Sequence, residues 1–103
     1  MTEAQLQYLL NELKSYLKIT WSEEDEELLK HVKRGAAYLD GLCGTVIDYS
    51  EDLFAQQLLL DYGRYVYNHS LELFEINFAS ELSKLSIREG VKAYEAANTE
   101  TSS

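Results

Sequence analysis

The chain has 103 residues, 46% of them hydrophobic, with eight tyrosines, and its nine Lys and Arg stand against eighteen Asp and Glu for a net charge of −9. That length supports one domain with a modest core, to which oligomerisation can add stability, and the hydrophobic content excludes a disordered chain. The negative charge disfavours general attraction to nucleic acid or to anionic membranes, and no apolar run approaches the roughly eighteen residues of a spanning helix.

The N-terminal MTEAQLQ carries neither a basic region nor a continuous apolar stretch, so a soluble chain made in a cytoplasm is expected. The single Cys43 cannot form an internal disulfide, which agrees with a reducing compartment. From Glu3 to Leu17, Leu6, Leu9, Leu10, Leu13 and Leu17 recur at helical spacing and predict an amphipathic first helix. Ile19 and Trp21 fall in the short connection that follows. Ser22 with Asp25 three residues on resembles a capping box. The acids Glu23 to Glu27 suit the positive end of a helix at about 0.3–1 kcal/mol each. A second helix is therefore predicted over about Glu23 to Asp40, with Gly41 and Gly44 as stop positions and Gly35-Ala36-Ala37 as a place of close helix approach.

After a loop at Thr45 to Tyr49, Ser50 is the expected cap of a third helix. Phe54, Leu58, Tyr62, Tyr65, Val66 and His69 share one face, while Leu59, Leu60 and Tyr67 fall elsewhere, so this helix is apolar around most of its circumference and belongs at the centre or under a neighbouring subunit. Phe74, Phe78, Leu82 and Leu85 predict a fourth, shorter helix. From Gly90 the chain turns polar, and a flexible tail is expected over 90–103. The expected architecture is all-α: a small bundle of about four helices in one domain over residues 1–89, with that tail attached.

Chemistry-bearing residues do not form a recognisable constellation. His31, Cys43 and His69 lack metal-ligand spacing. The acids of Glu23 to Glu27 lack the glycine and alternating oxygens of a calcium loop, and no motif links Cys43 or a serine to a base. No catalytic residue, metal or cofactor is expected. The segment Asp61 to Asn68 mixes tyrosines with one arginine, a composition enriched in protein contacts. Tyr62, Arg64, Tyr65 and Tyr67 are candidate oligomer-interface residues on that ground, and a tyrosine-rich core helix is the equal alternative.

The order of the segments LKSYLKI, SEEDEELL, AAYLDGLCG and LLLDYGRYVYN resembles the small head–tail connector, or head-completion adaptor, proteins of tailed bacteriophages. The resemblance covers roughly Leu10 to Asn68, and FEINFASELSKL is similar to the shorter final helix of some members. It implies a structural adaptor and no enzyme. It also implies a ring, commonly of about twelve copies, below the portal protein, presenting a docking surface for a stopper or tail-completion protein. Such a subunit is made in the host bacterial cytoplasm, is a monomer when free, resides at the head–tail interface of the virion, and lets DNA pass without specific binding or any membrane contact. By position, 90–103 is the candidate portal-reaching tail, with Val91, Tyr94 and Asn98 as its candidate contacts, and Thr45 to Tyr49 is the candidate lower loop. An acidic channel lining would repel phosphates. The alternative is a small acidic helical protein that binds and regulates a basic protein partner.

Overall fold

A computed structural model describes the backbone of residues 1–101 and the side chains through Ala97. Among the described residues there are five α-helices, α1 (Glu3–Leu17), α2 (Asp25–Cys43), α3 (Leu53–Tyr67), α4 (Phe74–Asn77) and α5 (Ala79–Thr101), with a 3-10 turn at Leu71–Leu73 and no strand. The all-α expectation holds, with one helix more than anticipated.

The first helix starts on a capping box of its own. The Thr2 hydroxyl accepts from the Gln5 amide at 3.1 Å, while the Gln5 side chain accepts from the Thr2 amide at 2.9 Å, so two donors without helical partners are satisfied at once. It ends on Lys18 in the left-handed region (φ 62°), and the Ile19 amide closes the turn on Lys14 O at 2.8 Å. Leu9, Leu10 and Leu13 are buried.

The second helix begins and ends later than the sequence suggests, and Ser22 and Asp25 do not form the expected box. Glu24 is the N-cap and no side chain caps the helix. Two of the acids are engaged by partners outside the helix: Asp25 pairs with Lys14 Nζ of α1 at 2.6 Å, and Glu24 Oε2 accepts from the nearby Trp21 Nε1 at 2.6 Å and from the Tyr67 hydroxyl of α3 at 3.1 Å. At the other end the helix passes through Gly41 and stops at Gly44, whose φ of 68° turns the chain.

A short loop leads to α3 and is fastened by Asp40, which accepts from the Ile47 amide at 3.1 Å and the Tyr49 hydroxyl at 2.7 Å. Gln56 of α3 donates to Tyr49 O at 2.9 Å. The cap of α3 is Asp52, accepting from the Ala55 amide at 3.1 Å, because Ser50 turns instead to Asp48. As its apolar circumference predicts, α3 is the centre of the fold: Ala55, Gln56 and every residue from Leu58 to Gly63 are buried. The partner helices come very close. A Cβ on Gly35 of α2 would sit 2.5 Å from Leu59 and 2.8 Å from Tyr62, and one on Gly63 would sit 2.9 Å from Leu13 of α1. Glycine at these two positions is what allows α1, α2 and α3 to pack as they do.

The predicted fourth helix is two helices. The chain leaves helical geometry at Phe78 (φ −114°, ψ 19°), between a single turn, α4, and the long α5. No glycine or proline stands there to announce the break. The ring of Phe74 stacks on that of Phe78 at 5.0 Å and meets Tyr62 and Tyr65 edge-on at 5.6 and 5.8 Å, so α4 is held by aromatic packing. The last helix also differs from expectation, continuing through Gly90 to Thr101. Its inner side buries Leu82, Leu85 and Glu89, and every described side chain from Gly90 to Ala97 is exposed. The radius of gyration, 15.0 Å, exceeds the roughly 13 Å of a compact chain of this length, and the longest extent is 53 Å.

Candidate interaction surface

Most of the polar side chains with perturbed chemistry serve to hold helices together. Asp61, with its side chain 8% exposed, accepts from the Tyr16 hydroxyl at 2.6 Å and pairs with Arg64 at 3.3 Å. The bond to Asp61, together with burial, raises the Tyr16 pKa above its ordinary 10.0. Tyr38 is pushed up to about 12 by burial and by its bond to Glu75 of α4. A phenol held in its neutral form by burial and an anionic acceptor is a fastener at neutral pH and a poor acid–base catalyst there.

The four tyrosine and arginine candidates for an oligomer interface are engaged within the subunit. Tyr62 is a core residue, 9% exposed, stacked on Tyr38 at 5.7 Å. Arg64 lies over the rings of Tyr16 and Tyr65, at 5.7 and 4.9 Å, while bonded to Asp61. Tyr65 packs on Phe74 and Phe78 and accepts from Asn77 Nδ2 at 2.9 Å. Tyr67 donates to Glu24. The alternative reading of this segment, a core helix with polar tips, describes these contacts.

His31 and His69 line one cleft of about 510 Å3 with Glu24, Glu27 and Tyr67. Burial, partly opposed by Glu27, lowers the His31 pKa, and its Nδ1 is buried with no hydrogen-bond partner. Cys43 stands elsewhere, half-buried beside Glu89 and Asp40. Burial first, and then those carboxylates, push its thiol up, so the nucleophilic thiolate is disfavoured. Among the described residues no group of three or more His, Cys, Asp or Glu is placed to hold a metal ion, and no helix is long and apolar enough to cross a membrane.

Several apolar surfaces remain exposed, including Leu71, Leu73 and Ile76 around α4, of which Ile76 is 72% exposed. On α5, Ile87, Val91 and Tyr94 are 64%, 49% and 68% exposed, and their spacing of four and three residues makes one stripe. The last of the three tail candidates, Asn98, has its side chain outside the described residues. A further such surface spans the loop and the first residue of α3, where Val46 is 82% and Leu53 68% exposed while Ile47 and Tyr49 turn into the core. An open cleft of about 900 Å3 separates this loop from α5, with Asp48, Glu51 and Asp52 on one wall and Arg88 and Lys92 on the other. The Arg88–Asp52 ion pair bridges it. Hydrophobic periodicity carried the signal for the α5 stripe. The exposure of Val46 and Leu53 and the Arg88–Asp52 bridge had no signal, since they depend on how loop and helix meet.

No protein-family model, curated protein or solved structure matches this chain.

Proposed function

We propose that this chain is a structural adaptor subunit of a phage head–tail connector, assembling as a ring below the portal protein, allowing DNA to pass and presenting a docking surface for the stopper or tail. The observation that carries an assembly role is the division of its side chains. Tyr16, Tyr38, Tyr49 and Tyr67, with Glu24, Asp25, Asp40 and Asp61, are engaged in joining elements of the fold, while Ile87, Val91 and Tyr94 stand uncovered on a helix whose described side chains beyond Glu89 are all exposed. Apolar side chains gathered on one exposed face mark sites of interaction. The portal and the tail as partners come from the resemblance of LKSYLKI, SEEDEELL, AAYLDGLCG and LLLDYGRYVYN to connector proteins. Those segments fall on the end of α1, the start of α2, the end of α2 and the middle of α3.

The test is to mix the purified protein with portal-bearing capsids and image them by electron microscopy. The expected outcome is a ring of added density beneath the portal. Absence of that density, with tight binding to a basic DNA-binding protein instead, would establish the acidic-regulator alternative.

A further inference from the structure

We propose that the α5 stripe of one molecule is covered by the acidic loop of a second copy of the same chain, Ile87, Val91 and Tyr94 packing on Val46 and Leu53 with Lys84 opposite Glu51. This contact supplies the two surfaces that a ring requires and in that sense rests on the connector reading.

Three features of the molecule converge on a second copy as the occupant. The first is direction. On a helix of about 3.6 residues per turn, Leu82, Leu85 and Glu89 define the side of α5 turned to the body, and Ile87, Val91 and Tyr94 lie on the opposite side. The loop meets α5 at Arg88, Glu89, Lys92 and Ala93. It therefore leaves the stripe of its own chain uncovered and open to another molecule.

Charge is the second feature. Residues 1–78 hold fourteen acids and six bases, a net charge of −8, whereas α5 over residues 79–101 holds four acids and three bases, a net charge of −1. Two acidic bodies repel, and α5 is the element against which the acidic body of another copy can rest with little of that penalty. Beside the stripe, Lys84 is exposed and has no ion pair among the described residues. The same is true of Glu51 on the loop. Each surface thus offers apolar side chains beside unpaired charge, Lys84 on α5 and Asp48 and Glu51 on the loop, of opposite sign on the two.

Gly90 is the third. A glycine inside a helix costs roughly 0.5–1 kcal/mol relative to alanine. The close packing that requires Gly35 and Gly63 is absent here, because a Cβ on Gly90 would meet nothing within 4 Å and its φ is not positive. Like Gly41 of α2, it is a helical glycine that packing within the subunit does not require, and beside the stripe it leaves room for a neighbour's chain.

Because the two surfaces differ, the contact is head-to-tail and propagates from copy to copy until it closes. Val91 and Tyr94, expected from the resemblance to dock on a portal, are thereby assigned to the adjacent subunit, which leaves the chain beyond them for docking.

The experiment uses the free protein with Cys43→Ala as background. Val91→Cys and Leu53→Cys chains are mixed under mild oxidation, with Lys33→Cys as a control on the outer side of α2 and circular dichroism to verify folding. The mixture is expected to form a disulfide-linked heterodimer at least about tenfold faster than either chain mixed with the control, since proximity raises effective concentration. A chain carrying both cysteines is expected to form a ladder of multimers. Lys84→Glu in the first chain should abolish the advantage and Glu51→Lys in the second should restore it. Cross-linking of Val91→Cys only to itself would replace the proposal with a symmetric α5–α5 pair, and a rate no higher than the control would remove it altogether. No portal is present, so the two readings fail separately. Cross-linking without capsid binding would overturn the connector role alone, and capsid binding without cross-linking would overturn this contact alone.

Discussion

Helices α3 and α5 are both rich in apolar residues and put them to different uses. The first is covered on nearly every side, and even its polar Gln56 and Asp61 are buried against Tyr49, Tyr16 and Arg64. In the second, Leu82, Leu85 and Glu89 face the body and Ile87, Val91 and Tyr94 face away from it. Hydrophobicity determines that a side chain gains by being covered, at roughly 25 cal/mol per Å2 of apolar area. It does not determine whether the cover comes from the same chain or from another.

The largest expected effect that tests this contrast is at Phe74, 1% exposed and in contact with the rings of Tyr38, Tyr62, Tyr65 and Phe78. Phe74→Ala is expected to cost about 3–5 kcal/mol in urea unfolding, a large share of the roughly 5–15 kcal/mol available to a domain. Tyr94→Ala is expected to stay within about 0.5 kcal/mol. Comparable losses for the two would erase the distinction between core and uncovered surface.

A smaller effect is expected at Arg64. The Arg64→Glu substitution removes the countercharge of the buried Asp61 and sets a second carboxylate beside it. Hydrogen bonds to charged groups are worth about 1.5–3 kcal/mol. With the arginine side chain 38% exposed, the lower end, about 1.5 kcal/mol, is expected because solvent screens the pair. An unchanged unfolding midpoint would return Arg64 to the role of an assembly residue, as its composition-based reading had it.

Effects opposite in sign are expected at two glycines. Gly35→Ala is expected to lose about 1–3 kcal/mol through overpacking, since its new methyl would lie 2.5 Å from Leu59. Gly90→Ala is expected to gain roughly 0.5–1 kcal/mol in the free subunit while slowing cross-linking between copies. Thermal unfolding of each variant, followed by helical circular dichroism, reads the sign directly, and destabilisation by Gly90→Ala would mean that the monomer itself needs this glycine.

The helical fold was largely legible in advance because heptad-like spacing of leucines and tyrosines encodes which face of a helix is apolar. The bounds of α1 and the central place of α3 follow from it, and the close approach at Gly35 from the small Gly35-Ala36-Ala37 group. Reading a cap from local pattern proved less secure. Ser22 and Ser50 have the right chemistry at the right spacing, yet Glu24 and Asp52 occupy the N-cap positions, while Asp48 engages Ser50. For the candidate surface, the stripe at Ile87, Val91 and Tyr94 is visible as periodicity, whereas the resemblance points by position to Val91, Tyr94 and Asn98 as portal contacts. The tyrosines of α3 are candidate interface residues by composition, which records that a ring and a guanidinium are present and not that Tyr16, Glu24 and Asn77 stand ready to receive them within the subunit.

The sequence by itself determined that this is an all-helical chain with an acidic start to its second helix, a central apolar third helix and a net charge of −9, since periodicity, helix-end preferences and charge are local or additive properties. Only the tertiary structure decided that Phe78 breaks the last helical stretch in two, that Glu24 and Asp25 tie α2 to α3 and α1, and that α5 stands with one apolar face uncovered. Those outcomes depend on which side chains meet across long separations in the chain, and local spacing carries no record of such meetings.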